Sequence, residues 1–162
     1  MDTNTIKRGL DEIAERDVDI ATGLDLVGYP EPRIREPGFP TLLNIIVSQQ
    51  LSTHAAAAIM QRVRELLGEP KPEAVLELVD EELRQCGLSQ RKVDYAKGLS
   101  RAIMDGVFDP HQLADLEDKA VINEIVALKG FGPWSAEIYA MFSLQRPDIF
   151  PSGDLALLVA LQ

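Results

Sequence analysis

The residues with the most chemical content lie in two short stretches late in the 162-residue chain. The first is Leu128-Lys129-Gly130-Phe131-Gly132-Pro133-Trp134-Ser135-Ala136. Two glycines two apart let the backbone make a tight, positive-φ turn between helices. Pro133 suits the first turn of the second helix, where its missing N–H is no loss. Such a turn leaves free backbone N–H groups at a helix N-terminus, a site for an anion such as phosphate that needs no lysine or arginine. The same residues equally make an ordinary helical hairpin, with glycine at the C-cap and proline at N1. The second stretch is Phe150-Pro151-Ser152-Gly153-Asp154, in which Asp154 opens an apolar helix, Leu155–Gln162. Asp154 reads as a plain N-cap, and that geometry also favours the ionised carboxylate and lowers its pKa. A carboxylate kept charged beside an apolar pocket suits a reaction that builds positive charge on a sugar ring.

The elements that must position these residues all read as helix. Thr5–Arg16 spaces Ile6, Leu10 and Ile13 by three and four residues, with charge on the other side. Gly28 to Pro40, with its four prolines, is a loop or linker. Thr41–Gln50 is apolar nearly all round, which marks a buried central helix. Ser52–Leu67 runs Ala55, Ile59, Val63 and Leu66 down one face before Gly68 and Pro70 stop it. Lys71–Gly87 holds two short helices, with Asp80 expected as N-cap of Glu81–Gln85. Three amphipathic segments follow, Ser89–Val107, Glu117–Leu128 and Pro133–Leu144. No segment alternates long enough to demand a strand, and no repeat of 20 to 50 residues recurs. The expected fold class is all-α.

Composition sets outer limits. Apolar residues at 46% and charged residues at 26% are ordinary for a globular chain, which excludes disordered and fibrous classes. The longest apolar runs, such as Leu155–Leu161, are too short to cross a bilayer, and the N-terminus lacks a signal-peptide pattern. The single cysteine, Cys86, cannot build a disulfide, a four-thiolate zinc site or a four-cysteine iron–sulfur cluster, so the chain reads as cytoplasmic. A net charge of −10 argues against binding nucleic acid through bulk charge, an objection softened by an amide-based phosphate site. His54 and His111 lack partner spacing for a metal or a triad. Arg91 and Lys92 begin a helix and read as solvated charge, with contact to DNA the alternative.

The hairpin run Leu128–Ala136, followed by Phe150-Pro151-Ser152-Gly153-Asp154, resembles the signature of the helix-hairpin-helix (HhH-GPD) DNA glycosylase superfamily. Asn44-Ile45-Ile46-Val47-Ser48-Gln49-Gln50-Leu51-Ser52 is similar to that superfamily's glutamine-containing motif. The nearest branch is the alkylation-repair, 3-methyladenine DNA glycosylase II type, and the resemblance runs from about Thr41 to Leu161. It implies two helical lobes with the active site in the cleft between them. Residues 1–40 would belong to the second lobe, 41–151 would form the lobe with the hairpin at about 117–144, and 152–162 would carry the catalytic loop and start a helix. The superfamily continues well past this aspartate, so the chain is expected to be truncated at its C-terminus.

By that resemblance, Asp154 is the catalytic carboxylate, stabilising an oxocarbenium-like sugar or positioning a water. Gly130, Phe131 and Gly132 would grip backbone phosphates through main-chain amides, and the carbonyls of Val126, Leu128 and Phe131 would hold Na+ or K+. Trp134 stands where strand-cleaving relatives place a Schiff-base lysine, which implies hydrolysis without a lyase step. Trp134 and Tyr139 would line the base pocket, although either could equally be a core aromatic. Gln49 and Gln50 would meet DNA, Gln50 as the wedge that fills the gap left by a flipped nucleotide and Leu51 as runner-up. The implied partner is double-stranded DNA containing damaged bases, bound by a monomer in a nucleoid or nucleus, without membrane association or an iron–sulfur cluster. A non-catalytic DNA-binding module, an inactive fragment, and a glycosylase for oxidised or deaminated bases remain the alternatives.

Overall fold

In a computed structural model, which describes residues 2–160, every regular element is a helix. The order is α1 (Thr3–Ala14), α2 (Val18–Val27), α3 (Phe39–Ser48), α4 (Thr53–Leu67), α5 (Pro72–Glu77), α6 (Asp80–Gln85) and α7 (Gln90–Met104). A 3-10 turn at Gln112–Asp115 precedes α8 (Asp118–Val126), α9 (Pro133–Phe142) and α10 (Leu155–Ala160). The continuation of the last helix to Gln162 lies outside the described residues. Local chemistry sets four of the starts: Asp2, Asp17, Ser52 and Ser89 each accept a backbone N–H from the first turn of the helix they precede. Asp80 departs from expectation. It lies inside α6, whose free N–H at Val79 is taken by Glu82, while Asp80 binds Lys97 and Gln90.

The core forms around α3. Leu42, Leu43, Ile45, Ile46 and Val47 are all at or below 2% exposure, because the helix packs against α4, α7 and α9 together. α5 and α6 pack on α7, and α8 pairs with α9 across the hairpin. The linker expected from Gly28 to Pro40 ends at Gly38, because Pro40 falls in the first turn of α3, and its far end is stitched to α9: Arg35 N–H donates to the Phe142 carbonyl and Gly38 N–H to the Tyr139 hydroxyl. Helix α2 was not expected from sequence. It pairs with α1, and neither helix has a buried residue. A network of Lys7, Asp11 and the Tyr29 hydroxyl ties α1 to the start of the linker.

Candidate functional site

The chain runs from α8 through Ala127–Gly132 into α9 as a tight hairpin. Only one of its two glycines has the backbone that favours glycine. Gly130 adopts φ +99, and a Cβ there would stand 2.3 Å from Cγ of Tyr95, so both conformation and space require glycine. Gly132 is the extended N-cap of α9, at φ −103, and a Cβ there would meet nothing within 4 Å. The expectation that both glycines serve the turn is thus corrected: Gly132 leaves open space at a helix N-terminus, where an anion could approach the backbone. Phe131 is corrected as well. Its ring is buried at 5% exposure and its N–H already donates to the Leu128 carbonyl, so that amide is committed within the turn.

Asp154 is held from two sides. Its Oδ1 accepts the N–H groups of Ala156 and Leu157, which makes it the N-cap of α10. Its Oδ2 accepts the indole N–H of Trp134 at 2.7 Å, from the second residue of α9. The Trp134 hydrogen bond is the main cause holding this carboxyl below the usual carboxylate range; partial desolvation opposes it, and the α10 amides add to it. The carboxylate is therefore ionised, fixed in direction and only partly covered.

Tyr139 was expected in a pocket and is instead core. It has no exposed surface, and its hydroxyl is occupied by the Gly38 amide. Burial pushes its phenol pKa up.

The turn after α3 brings the glutamines together with the hairpin. Gln50 adopts φ 56, a left-handed conformation uncommon for a residue with a side chain, and it projects at the surface beside Leu51, which is 39% exposed. Gln49 turns the other way. Its Nε2 donates to the Gly130 carbonyl at 2.8 Å and lies 3.5 Å from Ser135 Oγ, so it ties the turn to the hairpin rather than projecting outward. Sequence reasoning missed Lys92. Its ammonium donates to the carbonyls of Val47 and Gln49, at 2.7 and 2.9 Å, neutralising the C-terminal end of α3. Its neighbour Arg91 is exposed. Among the described residues no cluster of histidine, cysteine and carboxylate side chains could hold a metal ion, and no helix is long and apolar enough to cross a membrane.

The chain as a whole is similar to known proteins. The profile of the HhH-GPD superfamily of base excision DNA repair proteins matches residues 43–162. DNA-3-methyladenine glycosylase 1 of Schizosaccharomyces pombe is 33% identical over 127 residues, covering 76% of this chain and 55% of that protein. In structure, the chain is similar to a DNA-3-methyladenine glycosidase from Bacillus halodurans, with a TM-score of 0.76 and 37% identity over 90% of this chain and 68% of the other. It is also similar to the S. pombe 3-methyladenine DNA glycosylase in complex with abasic DNA, with a TM-score of 0.85 and 30% identity over 93% of this chain and 76% of that one. The chain spans about half the length of the curated relatives it matches.

Proposed function

This chain belongs to the HhH-GPD superfamily of base excision DNA repair proteins, and we propose that it forms the DNA-gripping and catalytic part of a monofunctional glycosylase for alkylated purines. Its substrates would be purines of the 3-methyladenine and 7-methylguanine type, flipped out of duplex DNA and released as free base to leave an abasic site. The observation that carries the reading is the two-sided hold on Asp154 by Trp134 and the α10 amides. As the N–C1′ bond breaks, its electron pair passes to the purine, which was cationic through alkylation and departs neutral. Positive charge then resides on the sugar, where a fixed carboxylate stabilises it until water adds at C1′ and gives up a proton.

Trp134 supports hydrolysis over strand cleavage, because an indole cannot form the Schiff base that a lyase step requires. With its N–H committed to Asp154, the rest of its partly covered ring is the face on which an electron-poor base would stack. In the hairpin, the amides around Gly132 would hold a phosphate, and Gln50 with Leu51 would fill the vacated stack. The carbonyls of Val126, Leu128 and Phe131 would hold a monovalent cation in the same hairpin, since carbonyl oxygens suit Na+ or K+. The second lobe would combine residues 1–40 with α10 and face the hairpin lobe across the cleft. The protein would act as a monomer on DNA in a nucleoid or nucleus.

The test is chromatography of bases released from DNA treated with a methylating agent, with strand integrity followed in parallel. We expect 3-methyladenine and 7-methylguanine to appear while strands stay intact until alkali is added. Strand cleavage by the protein itself, with a borohydride-trapped covalent adduct, would overturn the monofunctional reading.

A further inference from the structure

The wedge turn and the hairpin are far apart in sequence and meet on one short stretch of α7. Lys92 holds the carbonyls of Val47 and Gln49 from below the turn. One helical turn further on, the ring of Tyr95 lies directly beneath Gly130, close enough to exclude any side chain there. Gln49 then closes the triangle by donating to the Gly130 carbonyl. Lys92 is only partly exposed, and its ammonium meets two backbone oxygens, Val47 in the last turn of α3 and Gln49 at its C-cap. A lysine spending its ammonium on two carbonyls, at the cost of partial desolvation, fixes backbone geometry rather than attracting counter-ions from solution. The turn it fixes contains Gln50 in a left-handed conformation that needs such support.

We propose that Lys92, supported by Tyr95, is a positioning residue that locks the Gln50–Leu51 wedge to the phosphate-gripping hairpin, so that the two engage duplex DNA as one rigid unit during base flipping. The inference rests on the glycosylase reading given above. It assigns Lys92 no contact with the reacting atoms. Its substitution should impair extrusion of the base and spare the chemical step on a base that extrudes easily.

The experiment compares wild type, Lys92→Met and Lys92→Arg in the full-length protein. Single-turnover base release is measured from two duplexes carrying the same methylated purine, one in a matched pair and one in a mispair that flips at lower cost. Fluorescence of a 2-aminopurine placed beside the lesion reports unstacking without requiring chemistry. We expect Lys92→Met to slow release from the matched duplex by at least about tenfold, the equivalent of one charge-assisted hydrogen bond. The loss on the mispair should be much smaller, the fluorescence rise should shrink in parallel, and Lys92→Arg should recover part of both. Equal losses on the two duplexes, as from general misfolding, or no loss on either, would overturn the proposal. Absence of release by wild type would instead refute the glycosylase reading, and the fluorescence comparison would still decide whether Lys92 positions the wedge.

Discussion

Helices α3 to α9 and the trio α1, α2 and α10 are built from similarly apolar sequence and behave in opposite ways. The first group closes on itself: Ile46, Val63, Val93, Val121 and Ile125 are fully buried, and the core is continuous from α3 to α9. The second group has no buried residue, and Leu26, Val27, Val18 and Leu155 stand 74% exposed or more. The hairpin and the turn carrying Gln50 and Leu51 both lie within the closed group. Asp154 sits at the seam. Its Oδ1 caps α10, while the bond that orients its second oxygen comes from Trp134 of the closed group. The difference teaches that the geometry of the proposed DNA-contacting elements is preformed by the core, whereas the proposed catalytic carboxylate is held across a boundary, by α10 amides on one side and the Trp134 indole on the other.

Truncation inside the closed group should give the largest effect. Ile46→Ala is expected to cost about 2–5 kcal/mol in chemical denaturation, as a cavity in a close-packed core does. Gly130→Ala should follow at about 2 kcal/mol or more, since a Cβ would collide with Tyr95 and a positive φ is lost to strain. Trp134→Phe probes the seam itself. Asp154 has a folded pKa below its unfolded one, so the stability gained from this bond is present above the ordinary carboxylate pKa and fades as pH falls through the folded value. Removing the indole N–H raises the folded pKa, so the acid limb of the base-release profile should move to higher pH and the rate near neutrality should fall about tenfold. An unmoved acid limb would detach Trp134 from the carboxylate's function. Gly132→Ala should leave stability unchanged yet weaken DNA binding by about three- to tenfold, the value of one amide–phosphate bond. Leu26→Ala on the open group should change stability by no more than about 0.5 kcal/mol. A large loss there would erase the contrast between the two groups.

Much of this was readable from residue order. The amphipathic periods of α4 and α7 and the serine caps at Ser52 and Ser89 are local signals, and local signals survive folding. The cap role of Asp154 was equally plain, because its partners lie two and three residues ahead. Three features were not readable for one physical reason. Lys92 pairs with carbonyls more than forty residues away, Tyr139 with an amide 101 residues away, and Tyr95 with a glycine surface, none of which leaves a spacing pattern. Helix α2 was overlooked for another reason: Asp17 did announce it, but Val18–Val27 lacks the sharp division of faces that periodicity detects.

The central claim is that Asp154, oriented by Trp134, performs the hydrolysis. It is tested most directly by single-turnover release of 3-methyladenine from methylated duplex DNA, comparing wild type with Asp154→Asn at equal DNA occupancy. The neutral amide still fits the site but carries no charge, so release should fall by about 100-fold or more while binding to abasic DNA is retained. Undiminished release from Asp154→Asn would contradict the account and move the chemistry to another group.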